Sequence, residues 1–385
     1  MSLKTIPYAR QWLDEEDIAA VVAVLRSDWL TTGPQVPRFE QKFAEYVGAA
    51  EAVAVSSGTA ALHAAVAAAG IGPGDEALVP AITFAATANA LVYQGARPVF
   101  VDVDPQTLLI DPSRAADLIT PRTKAILAVD FAGQPADYAA LRSLADRHGL
   151  TLIADACHAL GGDDQGRRVG TLADLSAFSL HAVKPITTGE GGMITTNNPE
   201  LARRMRAFRN HGIDQDHRQR DALDSWYYEM VDLGYNYRLT DFQCALGLSQ
   251  LRKAPEWLSR RRQIAARYDA AFGSLRGVQP LATRSGVGHA YHLYVVQLDL
   301  ARLDVGREAI FRELRGRGLR VAVHYIPVYW HPFHRRRFGF RRGLCPSAEA
   351  AYERILSLPL FAELSECDCQ RVQDTVREVV EKHQR

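Results

Sequence analysis

The sequence predicts an α/β protein: a large domain on a mainly parallel seven-stranded sheet with helices on both faces, followed by a smaller C-terminal α+β domain. Three observations carry this expectation. Between about residues 50 and 200, short β-branched and apolar runs alternate with helical stretches, the order that yields parallel strands joined by crossover helices. Beyond about residue 241 the pattern shifts to long helices with a few isolated strands. The 385 residues, 47% of them hydrophobic, suffice to bury the cores of two domains.

Taken in order, strands are expected over 52–56, 76–79, 97–103, 124–129, 151–155, 175–179 and 192–196. Their apolar character on both sides implies that both faces of the sheet are covered. The alanine-rich stretch 59–69 and the stretch 139–148 read as helices, stopped by Gly70 and Gly149. Long helices follow at 242–253 and 256–272, with Pro255 marking the break between them. In the smaller domain, strands at 292–299 and 319–324 alternate with helices at 305–317, 347–356 and 368–382. The expected division is 1–250, including an N-terminal arm, and 251–385.

Composition limits the partners. Lys plus Arg number 45 against 44 Asp plus Glu, and a net charge of +1 supplies no field for gathering nucleic acid or an anionic membrane. Residues 1–10 lack an apolar signal core and no stretch reaches the roughly 18 apolar residues of a membrane span, so a cytoplasmic location is expected. Cys157, Cys244, Cys345, Cys367 and Cys369 are scattered, with no Cys-x-x-Cys spacing, which argues against disulfides and structural zinc.

The chemistry concentrates on Lys184, in Ser179-Leu180-His181-Ala182-Val183-Lys184-Pro185 with Gly189-Glu190-Gly191-Gly192 shortly after. A lysine amine condenses with an aldehyde cofactor, and an aspartate at the end of a core strand, here Asp155, can keep a pyridine nitrogen protonated. Together they read as a site for pyridoxal 5'-phosphate. Ser57-Gly58-Thr59-Ala60, between a strand and the alanine-rich helix, presents free backbone N–H groups that suit a phosphate, although the same residues also make a good helix N-cap. Ser179 could add its hydroxyl to that cup. His158, one turn after Asp155, could reach the ring hydroxyl or remain a core histidine. Phe84, in Pro80-Ala81-Ile82-Thr83-Phe84, follows a strand end where its face could stack on the cofactor ring. The arginines at 335–337, 341 and 342 read either as a solvated loop or as contacts to a substrate diphosphate.

Read as a whole, the chain resembles the DegT/DnrJ/EryC1/StrS aminotransferases, sugar aminotransferases of the type I PLP-dependent (aspartate aminotransferase-like) fold. The matching segments run nearly end to end: Leu30-Thr31-Thr32-Gly33-Pro34, Ser57 to Leu62, Gly72 to Glu76, Pro80 to Phe84, Asp155 to His158, Ser179 to Lys184, Gly189 to Gly192, Gly234-Tyr235-Asn236-Tyr237-Arg238 and His324-Tyr325-Ile326-Pro327. The resemblance implies that Lys184 carries the cofactor as a Schiff base, Asp155 pairs with the ring nitrogen and Phe84 stacks on the ring. It further implies that Gly58, Thr59, Ala60 and Ser179 hold the phosphate, and that Asn236 reaches the phosphate of a second copy in a homodimer with shared sites.

Val183 to Thr188, Cys244 to Leu251 and Val323 to Pro327 look most like the branch that aminates a UDP-linked 4-keto-6-deoxy-N-acetylhexosamine in pseudaminic acid biosynthesis. The implied partners are a nucleotide sugar and L-glutamate, with Tyr8, Thr31, His324 and Tyr325 in segments that touch the sugar nucleotide. GDP- or dTDP-linked ketosugars, and a non-catalytic member of the fold, are the alternatives. Two departures stand out: Asp130-Phe131-Ala132-Gly133 replaces a His-x-Tyr-Gly segment, and Leu180 follows Ser179 where Phe is common.

Overall fold

In the computed structural model, which describes residues 5–385, all seven expected strands of the large domain pair into one sheet. Residues 1–4, the start of the expected N-terminal arm, lie outside the described residues. The strands are β1 (Glu51–Val55), β2 (Glu76–Pro80), β3 (Arg97–Val101), β4 (Thr123–Val129), β5 (Thr151–Asp155), β6 (Leu175–Ser179) and β7 (Gly192–Thr196). Their spatial order is β1-β7-β6-β5-β4-β2-β3. Only β7 runs against its neighbours; the remaining pairs are parallel. Six strands therefore end at one edge, the edge where β7 begins.

Alternation along the strands sorts their side chains into two buried layers. Val53, Val79, Leu127 and Ile153 face one layer, with the helices Gly58–Ala68, Ala85–Tyr93 and Pro199–Phe208 over it. Ala54, Leu78, Ile126 and Leu152 face the other, beneath Gln35–Val47, Tyr138–His148 and the first half of Asp241–Phe272. A third core gathers Ile264, Tyr268, Phe272, Val296, Leu314, Leu356 and Val376, with Ile6 from the N-terminal segment packed among them. It is organised by an antiparallel sheet of β8 (Val278–Pro280), β9 (Tyr294–Leu298) and β10 (Ile355–Leu358), flanked by the helices Arg307–Gly316 and Glu366–Lys382.

Three expectations fail for identifiable reasons. Pro255 does not break the chain into two helices; Asp241–Phe272 is continuous through it. A proline there cannot bond the Leu251 carbonyl and costs about 3 kcal/mol. Burial of Leu251, Ala254, Trp257 and Ile264 on either side offsets this at roughly 2 kcal/mol per large apolar side chain. Second, the stretch 347–356 is a helix only over Pro346–Tyr352, after which Ile355–Leu358 is drawn into pairing with β9; so short an apolar run does not reveal which partner will claim it. Third, 319–324 forms single bridges, Leu319 to Ile6 and Ala322 to Ser357, rather than a strand. It passes between two partners and makes a continuous ladder with neither.

Candidate active site

The shared strand edge collects the chemistry. Asp155 ends β5 and is 6% exposed. Its Oδ2 accepts a hydrogen bond from Thr87 Oγ1 at 2.6 Å, and its Oδ1 accepts from the Cys157 N–H at 3.2 Å. Thr87 is fully buried, and its hydroxyl lies 2.7 Å from that of Thr83. Neither threonine is singled out by sequence reasoning. The available signal is their spacing of four across the entry to the helix Ala85–Tyr93, which puts both on one face. The carboxylate is thus fixed in orientation before any ligand arrives.

After β1 the chain enters the helix Gly58–Ala68, with Ser57 as N-cap. The Ser57 hydroxyl accepts from the Ala60 N–H at 3.0 Å, so the N-cap reading of this turn holds and Ala60 has given its donor away. The N–H groups of Gly58 and Thr59 precede the first intrahelical bond and remain for an anion. A Cβ built on Gly58 would lie 2.8 Å from Ser179 Cβ and 3.3 Å from Cys157 Sγ, so only glycine lets this turn approach the ends of β5 and β6. Gly192, at the start of β7, meets the same turn: a Cβ there would fall 2.3 Å from the Ser57 carbonyl oxygen.

The loop from Ser179 to Gly192 is closed on itself. The Leu180 N–H donates to Gly191 O, the Thr188 N–H and the Thr187 hydroxyl donate to Leu180 O, and the Lys184 N–H donates to His181 O, all within 3.0 Å. Lys184 is half-buried at the bend, within electrostatic reach of Asp155, Cys157, His158, His292 and His324. Burial pushes its amine below the usual lysine range, against the opposing effect of Cys157 and Asp155. The shift raises the fraction of neutral, nucleophilic amine.

An aromatic wall faces this edge. Tyr325 lies 5.9 Å from Phe84 and 4.8 Å from His324 between ring centroids, and His324 lies 5.5 Å from Tyr8. The Tyr325 hydroxyl is 3.2 Å from His158 Nε2. Phe84 is 59% exposed, an open ring face at the mouth of the site. Burial drives the Tyr325 phenol up, and burial with Lys184 nearby pushes His324 down to about 4.

Tyr8, Phe84, Asp155, His158, Lys184, His324 and Tyr325 thus come together within one chain. Thr31 and Asn236 do not join them. Thr31 is exposed, bridges Thr240 and lines a separate cavity of about 560 Å³ with Asn210, Arg218 and Arg238. Asn236 is exposed and bridges Asn210. Arg335, Arg336 and Arg337 stand exposed on the short helix Pro332–Phe338, and the Arg342 guanidinium sits 4.0 Å above the Trp330 ring. In the departing segment, Asp130 is wholly buried; Oδ1 accepts from the Ala136 N–H and the Tyr138 hydroxyl, while Oδ2 has no partner among the described residues.

These residues fit a phosphorylated pyridine aldehyde. Asp155 suits a ring nitrogen, the Gly58 turn is a backbone cradle that a Cβ would fill, and the buried His158 Nδ1 lacks a partner among the described residues. Among the described residues no helix is long and apolar enough to cross a membrane, and no cluster of His, Cys, Asp and Glu could hold a metal ion.

Comparison with known proteins agrees with this geometry. The model of the DegT/DnrJ/EryC1/StrS aminotransferase family matches residues 11–377. The chain is 41% identical over 377 residues to the spore coat polysaccharide biosynthesis protein SpsC of Bacillus subtilis (strain 168), covering 97% of each. Helicobacter pylori PseC, an aminotransferase involved in the biosynthesis of pseudoaminic acid, superposes with a TM-score of 0.91 at 34% identity over 98% of this chain and 100% of that one. The PMP form of Spr1654 from Streptococcus pneumoniae gives 0.92 at 33% identity, over 98% and 99%. The chain belongs to the DegT/DnrJ/EryC1/StrS aminotransferase family and is a pyridoxal phosphate-dependent sugar aminotransferase.

Proposed function

We propose that the protein aminates a nucleotide-linked 4-keto-6-deoxy sugar, UDP-linked in the first instance, with L-glutamate as donor, in the making of pseudaminic acid or a related surface glycan. The observation that carries this reading is the meeting of a half-buried Lys184, an anchored Asp155 and the Tyr8–His324–Tyr325 wall at one sheet edge. The relatives named for polysaccharide and pseudoaminic acid biosynthesis support the substrate class.

When bound, pyridoxal phosphate supplies an aldehyde carbon for imine exchange and a ring that withdraws electrons. Asp155 holds the ring nitrogen and keeps its proton in place. Gly58, Thr59 and Ser179 would hold the phosphate, next to Ala60, whose N–H is committed to the Ser57 hydroxyl, and Phe84 would cover the ring. Lys184 carries the cofactor between turnovers. Its Nζ, which burial favours in the neutral form, would be placed to take a proton from the substrate carbon and return it. Tyr8, Thr31, His324 and Tyr325 contact the sugar nucleotide.

Two copies complete the site, with Asn236 of one reaching the phosphate of the other in the cytoplasm, and a domain division near residue 250 sets the cleft. Asn236 is exposed, and in the same stretch of chain Trp226, Met230 and Leu233 are 85%, 67% and 71% exposed; so much open apolar surface favours a protein partner. The deciding experiment is incubation of the pyridoxamine form with UDP-, GDP- and dTDP-linked 4-ketosugars. Amination of the UDP sugar in preference to the others is expected. Exclusive turnover of a GDP or dTDP sugar overturns the nucleotide assignment, and no turnover of any ketosugar overturns the reading.

A further inference from the structure

Two buried histidines pack together just beyond Asp155. His158 and His292 are 5% and 3% exposed, their ring centroids are 4.5 Å apart, and Nδ1 of each is buried without a partner among the described residues. On its other side His158 meets the Tyr325 hydroxyl through Nε2 at 3.2 Å. Burial raises the phenol and lowers the imidazole, so the phenol keeps its proton and donates it to Nε2. A neutral imidazole that accepts at Nε2 carries its own proton on Nδ1. The Nδ1–H is therefore the donor that His158 has to offer, three residues after the carboxylate.

His292 is absent from the candidates that the sequence supplies. Its segment is sewn to the loop after β4: the Ala290 N–H donates to Gly133 O at 2.8 Å and the Leu293 N–H donates to Ala132 O at 3.1 Å. The adjacent Tyr291 carbonyl accepts from Nη1 of the buried Arg261 at 3.2 Å. At Gly133 an added Cβ would fall 2.9 Å from His158 O and 3.0 Å from His292 N, so one glycine locks both histidine backbones together. His292 stays uncharged, because burial and the nearby Lys184 and His158 oppose its protonation.

We propose that His292 is a positioning residue: packed against His158 and held by the Gly133 turn and Arg261, it fixes the His158 ring in the orientation and tautomer that leave Nδ1–H free to donate to the ring oxygen of the bound cofactor. The last step rests on the pyridoxal phosphate reading of the site; the tautomer does not. A neutral, oriented imidazole at this place holds a proton against the ring oxygen without adding a cation beside Lys184.

The test is nitrogen NMR of the full-length, cofactor-free protein labelled at its histidine imidazoles, with pyridoxal phosphate binding measured in parallel. In the wild type, His158 is expected with its proton on Nδ1. His292→Ala should mix the tautomers of His158 and weaken pyridoxal phosphate binding about tenfold, the size of one oriented hydrogen bond, while His292→Phe restores both by keeping a ring in place. Should the alanine variant fail to fold, His292→Leu against His292→Phe makes the same comparison at filled volume. The proposal falls if wild-type His158 is protonated on Nε2, or if removing the ring at 292 leaves both readouts unchanged. Failure of the wild type to take up pyridoxal phosphate would sink the cofactor assignment instead, and the tautomer would still decide the role of His292.

Discussion

Thr87 Oγ1 stands 2.6 Å from Asp155 Oδ2, joining a helix entry to a strand end 68 residues away in sequence, and both side chains are buried. A carboxylate proposed to hold a ring nitrogen has little use for rotational freedom. The threonine removes that freedom by supplying a buried donor.

Thr87→Val keeps the shape and deletes the donor. We expect a loss of about 1–3 kcal/mol of stability, the cost of an unpaired buried polar group, together with weaker pyridoxal phosphate binding. Urea melts and equilibrium binding measure the two. Unchanged values for both would show that the hydroxyl does not anchor the carboxylate.

Lys184→Ala should abolish the visible absorption of the Schiff base and lower turnover at least about a thousandfold, because both the nucleophile and the proton carrier are gone. In the wild type, borohydride reduction followed by peptide mapping should find the cofactor on Lys184. A label on another lysine refutes the assignment.

Gly192→Ala places a Cβ 2.3 Å from Ser57 O and 3.0 Å from the Gly58 N atom. The turn must shift, at a cost of about 1–3 kcal/mol for overpacking. Since that turn would hold the phosphate, affinity should fall more for pyridoxal phosphate than for pyridoxal, which lacks the group. Equal losses would place the damage elsewhere.

Burial raises the Asp130 carboxyl from 3.8 to about 7, with Asp155 and Asp164 adding repulsion against the bonds from Ala136 and Tyr138. An acid whose folded pKa lies above its unfolded value stabilises the fold fully below the unfolded value and loses that contribution as pH rises through the folded one. Stability should therefore decline from about pH 4 to pH 7 through this group, by an amount on the order of 2–4 kcal/mol at roughly 1.4 kcal/mol per pKa unit. Asp130→Asn should flatten the decline and leave the variant the more stable of the two at pH 8. Chemical denaturation at pH 5 and pH 8 checks it, and an undiminished slope in the variant would refute it.

Elements and groups whose signals are local could be read directly from consecutive residues. Seven apolar runs separated by helical stretches became the sheet, since strands buried on both faces show themselves in any register. Lys184, Asp155 and the Gly58 turn were legible because a glycine-rich loop, a strand end and a helix start are each written in a few consecutive residues. Long-range packing settled that the helix runs through Pro255, that Ile355–Leu358 pairs as a strand, that Thr87 anchors Asp155 and that His292 packs on His158. In each of these cases the outcome depends on burial or on a hydrogen-bond partner far away in the chain. A residue's own neighbours cannot report the energy of a contact that exists only once the two cores have closed around the sheet edge.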